Sequence, residues 1–177
     1  MRSDETHLVT CPYCGEEVEI YLEPEVRGSL IQDCEVCCNP WQVTVWWEDG
    51  ERYVDVRRVA AHGHSMGAFV TTAFAAAYPA DVRVASHTSG GVLLDAIHLE
   101  GMPFPSVAQA RRIQAPYQWH HGLLDYAVPF LLARRFDSVI TAPHEGHLYS
   151  RLRHAAVATD PEVLSRVRAW YTTHGIF

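Results

Sequence analysis

The sequence predicts an α/β chain in two parts: a small all-β module over residues 1–56, then a parallel-sheet domain over residues 57–177. Three observations predict it. All five cysteines lie between positions 11 and 38. The charge balance reverses near Asp55-Val56-Arg57-Arg58, with 13 Asp/Glu against three Arg before residue 56 and 8 against 11 Arg after it, the mark of two differently composed modules. From residue 57 onward, strand-like and helix-like segments alternate, and such alternation implies right-handed crossovers and a parallel sheet.

The elements follow in order. Val18–Tyr21 and Trp41–Trp47 have strand composition, and Glu48-Asp49-Gly50-Glu51 is a hairpin turn leading to Tyr53–Val56. Alternation places Trp46 and Trp47 on opposite faces, so that at least one meets a neighbour. Arg58–His62 reads as a short buried strand. Ala68–Tyr78 is an Ala-rich helix stopped by Pro79, and Val82–His87 is the next strand, followed by the loop Thr88-Ser89-Gly90-Gly91. Residues 92–105 read as irregular, and Ser106 caps a helix to about Ile113. Tyr117–His121 is a third strand, Pro129–Phe136 a helix and Ser138–Ala142 a fourth strand. Asp160-Pro161-Glu162 opens a last helix through Tyr171, with Asp at the cap and Pro at the first helical position.

Composition bounds the class. The chain has 177 residues and 48% apolar content, enough for one core with an appendage. No run of 18 apolar residues exists, so no membrane span is expected. The N-terminus lacks an apolar signal region, and the expected location is the cytoplasm. An acidic first module is a poor partner for nucleic acid, because phosphate contacts need Lys and Arg. The chain has no lysine at all, which reads as genome composition bias.

The cysteine spacing is Cys11-x2-Cys14, 19 residues, then Cys34-x2-Cys37, with Cys38 adjacent. Two C-x2-C pairs at this separation suit a tetrahedral zinc site in which four thiolates leave no position open for water, a structural site. Either Cys37 or Cys38 can be the fourth ligand. A redox C-x-x-C would need a thioredoxin-like βαβ context, which is missing. Gly15, just after the second thiol, suits a knuckle turn that needs φ > 0.

The sequence Gly63-His64-Ser65-Met66-Gly67 follows a strand and opens a helix, the setting of a nucleophile elbow. Two further markers follow: His121-Gly122-Leu123-Leu124-Asp125-Tyr126-Ala127-Val128-Pro129 at a strand end, and Glu145-Gly146-His147 in the loop after the next predicted strand. From about Asp55 the chain therefore resembles the C-terminal half of an α/β-hydrolase, most like the dienelactone-hydrolase and prolyl-oligopeptidase-like esterases. That resemblance implies a truncated α/β-hydrolase sheet with Ser65 as nucleophile, His147 as general base, Asp125 orienting the imidazole, and the Met66 N–H as one oxyanion donor. Residues 9–56 resemble the cysteine-rich proteins with a Cys-Pro-x-Cys-Gly motif, which implies structural Zn2+ on Cys11, Cys14, Cys34 and Cys37 in a zinc-ribbon fold.

In that family, strands and a second oxyanion donor stand upstream of the elbow, where this sequence has the cysteine module. Loss of one donor lowers kcat by about 10²–10³. The elbow strand would then carry an unpaired apolar edge, covered by the Trp41–Trp47 hairpin or by a second copy, so a homodimer or higher oligomer is expected. The implied activity is hydrolysis of a small-molecule short-chain ester, with Phe104, Trp119, Tyr126, Phe130 and Tyr149 as candidate pocket walls. Two alternatives stand beside it: a non-catalytic zinc-binding fusion that keeps a hydrolase remnant, and a metal site gathered from His62, His64, His121, His144, His147 and Asp125.

Overall fold

The computed structural model describes residues 6–93 and 105–176 and divides into two compact units, Met1–Val59 and Ala60–Phe177. The division falls three residues beyond the expected one, because the two strands expected at Tyr53–Val56 and Arg58–His62 are a single long strand that passes through it.

The first unit begins with the antiparallel pair β1 (Thr6–Thr10) and β2 (Glu17–Tyr21). A three-stranded antiparallel set follows: β3 (Gly28–Asp33), β4 (Pro40–Glu48) and the first part of β5 (Glu51–His64). The Asp49-Gly50 turn has φ of 52° and 83°, the left-handed pair that two-residue hairpins need. Strands β1 and β3 were not expected; both are short and strongly polar, and pairing with a partner strand overrides their weak propensity. Every second residue of β4 points inward, and Trp41, Val43 and Val45 join Val9, Val18 and Ile20 in one core. Trp46 stacks on Tyr53 across the β4–β5 pair, and Arg27 lies over the Trp47 ring.

The second unit takes the end of β5 and continues with α1 (Met66–Ala77), β6 (Val82–Thr88), α2 (Val107–Ala110), β7 (Tyr117–Gly122), α3 (Phe130–Val139), β8 (His144–Tyr149), α4 (His154–Thr159) and α5 (Pro161–Thr173). Its strands lie in the order β5-β6-β7-β8, and β6–β7 and β7–β8 are parallel. The core packs β6 and β7 against α1, α2 and α3 through Ala75, Val92, Tyr117, Trp119, Ala133 and Phe136. On another side Trp170 and Tyr171 of α5 close over Val84. Ser106 caps α2 reciprocally with Gln109, and Asp160 caps α5 as expected. Among the described residues, no helix is long and apolar enough to cross a membrane.

The expected strand Ser138–Ala142 does not form: α3 runs to Val139, and the last strand is β8, from His144. The β-branched run Val139-Ile140-Thr141 carries local strand propensity, but Pro143 stands directly before the paired segment. The pairing Tyr117↔His144 through Gly122↔Tyr149 fixes the register instead. Local propensity yields to tertiary pairing.

Candidate active site and metal centre

The elbow is built from close approach. A Cβ on Gly63 would lie 2.1 Å from the Gly67 carbonyl oxygen, so only glycine fits there. Ser65 adopts φ 57°, ψ −119°, a strained conformation for a residue with a side chain, and such strain concentrates at functional turns. Its N–H donates to the Thr88 carbonyl at 3.1 Å, which anchors the turn to the end of β6. Met66 is the first residue of α1, where backbone N–H groups have no partner within the helix and the helix dipole favours negative charge.

Asp125 lies in the turn after β7, with its carboxylate fully buried. Oδ1 accepts the N–H groups of Ala127 at 3.0 Å and Val128 at 2.9 Å, while Oδ2 accepts His154 Nδ1 at 2.8 Å. Burial opposes ionisation, but the Val128 N–H and His154 outweigh it and hold the carboxyl below its usual range.

The ring that meets both Ser65 and Asp125 belongs to His154. Its Nε2 is 2.9 Å from Ser65 Oγ, and its Nδ1 faces Asp125. This assigns the tautomer from the network: Nδ1–H donates to the carboxylate and Nε2 accepts from the hydroxyl. His154 is delivered by the loop after β8. The Leu123 N–H donates to the Tyr149 carbonyl and the Leu124 N–H to the Leu152 carbonyl. A Cβ on Gly122 would meet the Leu152 oxygen at 2.3 Å, so that glycine lets the loop settle against the turn that holds Asp125.

His147, expected as the base, is on β8 itself and not in a loop. Its ring stacks on His120 at 4.9 Å and its nitrogens face Gln118, Glu145 and Arg166. The displacement follows from the misplaced strand: with Ser138–Ala142 taken as the last strand, His147 is the histidine of the next loop, whereas the true last strand puts His154 there. Sequence reasoning did not single out His154; the one signal for it is its place at the head of Ala155-Ala156-Val157, just past a strand end.

The other histidines form no metal-competent group among the described residues. His62 pairs with Ser86 and His144 with the Ala142 carbonyl, while His121, bonded to the Val128 carbonyl, lies 3.7 Å from Asp125 Oδ2, and His64 packs against the His154 ring. Trp119 is core, its Nε1–H donating to Asp137 and Gly146 lying against its ring. Tyr149 bonds His120, Tyr126 and Phe130 are exposed, and Phe104 lies outside the described residues. A cavity of about 430 Å³ lies along β8, lined by His147, Tyr149, Asp160, Glu162 and Arg166 among others. Its lining includes none of Ser65, Asp125 or His154.

Several of these histidines are buried uncharged. His87 and His121 sit below the ordinary imidazole value and His120 falls to about 3, each first through burial. The unfolded chain then binds protons that the folded chain refuses, so stability rises with pH between the folded and unfolded values. Their contribution is complete above the unfolded value of about 6.5 and is lost as pH falls below it, at up to about 1.4 kcal/mol per pH unit for each group. Asp125, whose carboxyl is held below its usual range, acts in the same direction only below its unfolded value of about 3.9, outside the window tested. Urea unfolding at pH 7.5 and 5.5 should therefore give a lower midpoint at 5.5; an equal or higher midpoint would contradict this account.

In the first unit, the Sγ atoms of Cys11, Cys14, Cys34 and Cys37 lie within 4.8 Å of one another, the only such metal-competent group among the described residues. The Cys11–Cys37 separation of 3.7 Å matches the edge of a tetrahedron with Zn–S bonds of about 2.3 Å. Two equivalent knuckles build it: Gly15 donates back to the Cys11 carbonyl and Cys38 to the Cys34 carbonyl, with φ of 78° and 58°. Cys38 thus holds the turn position that Gly15 holds in the first knuckle and is exposed, leaving Cys37 as the fourth ligand. The four thiolates fit a structural zinc ion.

Comparison with known proteins agrees with both halves. Residues 9–58 match the family model described as a bacterial zinc ribbon domain. No curated protein matches the chain in sequence. Among solved structures, the chain is similar to acetyl xylan esterase 1 from Thermoanaerobacterium (16% identity, TM-score 0.53, covering 67% of this chain and 46% of that one). It is similar to a serine hydrolase involved in carbazole degradation (14%, 0.54, 66% and 64%). It is also similar to a protein from Klebsiella pneumoniae described as a dienelactone hydrolase (20%, 0.56, 67% and 53%). The chain thus spans roughly half to two thirds of the length of these structures, and its fold is an α/β-hydrolase sheet preceded by a zinc ribbon.

Proposed function

We propose that the chain is a serine hydrolase that cleaves short carboxylic esters of small molecules through an acyl-enzyme, with Ser65 as nucleophile, His154 as general base and Asp125 as the orienting acid. The observation that supports this reading most is the His154 ring spanning Ser65 Oγ at 2.9 Å and Asp125 Oδ2 at 2.8 Å. A serine hydroxyl is a weak nucleophile until a base accepts its proton. As Ser65 Oγ bonds to the ester carbonyl carbon, its proton passes to His154 Nε2. The imidazolium so formed is stabilised by the buried Asp125 carboxylate, already ionised and held by two backbone N–H groups. Negative charge on the carbonyl oxygen is met by the Met66 N–H at the start of α1. Collapse of the tetrahedral adduct breaks the ester C–O bond, and the Nε2 proton goes to the departing alkoxide. Water then repeats the sequence on the acyl-enzyme: His154 takes its proton and returns it to Ser65 Oγ as the acid leaves.

The zinc ribbon matched over residues 9–58 favours one other reading, a non-catalytic zinc-binding fusion that keeps a hydrolase remnant. A fluorophosphonate probe separates them. The active enzyme is expected to take up one phosphonyl group on Ser65, seen as an intact-mass shift, and Ser65→Ala is expected to take up none and to lose p-nitrophenyl acetate hydrolysis. Equal hydrolysis by wild type and Ser65→Ala would remove the triad reading. Self-association belongs to the same reading: α1 carries no charged residue and exposes Met66 and Val70, with Tyr78 exposed just past its end, an apolar surface of the kind a second copy covers. Sedimentation at micromolar concentration should report a homodimer or larger species.

A further inference from the structure

We infer that His64, the residue between Gly63 and the nucleophile, is a positioning residue that holds the His154 ring in register by packing against its face; this rests on the triad reading above. Two hydrogen bonds hold the His154 ring among the described residues, Nε2 toward Ser65 and Nδ1 toward Asp125. Both bonds lie in the ring plane, so they resist least a tilt of the ring out of that plane, and such a tilt swings the Nε2 lone pair off the Ser65 proton. His154 also stands on the first residue of a six-residue helix, with a side chain about a quarter exposed, so its own backbone restrains it weakly.

The His64 ring supplies the missing restraint. Its centroid lies 4.8 Å from that of His154, with the planes tilted by 41°. His64 is itself pinned, because its Nδ1 is 2.9 Å from Thr88 Oγ1. Thr88 therefore anchors both sides of the device: its carbonyl holds the Ser65 N–H and its hydroxyl holds the His64 ring. The elbow turn itself makes no demand for histidine at this position, since close approach falls on Gly63 and strain on Ser65. The groups that face His64 electrostatically are His154 and Asp125, with His62 two residues away on the same strand. Burial first, and then the neighbouring His154, keep His64 below the ordinary imidazole value. A neutral ring beside the base spares the imidazolium a like charge when it forms.

The experiment compares His64→Ala and His64→Phe with wild type and Ser65→Ala on p-nitrophenyl acetate, with the active fraction counted by fluorophosphonate titration so that misfolded protein does not enter kcat. Angular error at a reacting base lowers kcat, not substrate affinity, so His64→Ala is expected to lose roughly ten- to a hundred-fold in kcat with little change in KM. His64→Phe keeps the ring face without titratable nitrogens and should recover most of that loss with an unshifted acid limb in the pH–rate profile. Wild-type kcat in His64→Ala overturns the proposal, and so does a His64→Phe enzyme as slow as His64→Ala. Full activity in Ser65→Ala would instead remove the triad reading, whatever His64 does.

Discussion

His154→Ala is expected to lower kcat for ester hydrolysis by at least about a thousand-fold, because removal of the base from a Ser–His pair forfeits most of the covalent route. His147→Ala, which touches neither Ser65 nor Asp125, should change kcat by less than about three-fold, as expected of a substitution remote from the reacting groups. Placing the two side by side makes the experiment decisive, since both histidines follow β7 in chain order and lie seven residues apart. Asp125→Asn should also fall steeply, because an amide cannot hold the Nδ1–H tautomer that leaves Nε2 free to accept the Ser65 proton. Steady-state kinetics on p-nitrophenyl acetate check all three. A slow His147→Ala enzyme beside a fast His154→Ala enzyme would mean that the base is not the residue hydrogen-bonded to Ser65.

Cys34→Ser is expected to release zinc and unfold the ribbon. Its core contains Cys11 and Cys34 themselves beside Trp41, Val43 and Val45, so the metal and the apolar cluster stabilise one another. Structural zinc in isolated finger peptides contributes about 10 kcal/mol or more at neutral pH, larger than the whole stability of most small domains. Native mass spectrometry should show one zinc per wild-type chain and none in Cys34→Ser. Hydrogen exchange should show lost protection at the β4 amides around Val43 and Val45, with protection at Val84 and Tyr117 retained, because the second unit has a separate core. Zinc retained at unchanged stoichiometry, or β4 amides still protected, would contradict a four-thiolate structural site. Cys38→Ser serves as the control and should keep its zinc, since Cys38 stands at the turn position of the second knuckle and outside the thiolate group.

Much of the site was legible because its parts are local. The Gly63–Gly67 turn announces itself within five residues, since close approach needs Gly63 and the tight bend falls on Ser65. Asp125 was legible for the same reason: the turn after β7 folds its carboxylate back onto the N–H groups of Ala127 and Val128, only two and three residues away. The knuckles were legible from spacing, though the choice between Cys37 and Cys38 needed the left-handed φ that marks Cys38 as the turn residue. The buried strands β6 and β7 also showed in composition, whereas β1 and β3 did not, because polar strands draw their stability from partners distant in sequence.

By itself, then, the sequence determined the fold class in its two parts and the thiolate set to within one residue. Only the tertiary structure brought His154 to Ser65 and Asp125. Ser65 and His154 are 89 residues apart, and the histidine that reaches the serine depends on where β8 pairs with β7 and on a loop that settles against Gly122. A register is set by the summed pairing and packing of whole strands, which no short window contains. The local signal at Ser138–Ala142 favoured a strand, the pairing from His144 overrode it, and that shift puts His154 in place of His147 beside Ser65 and Asp125.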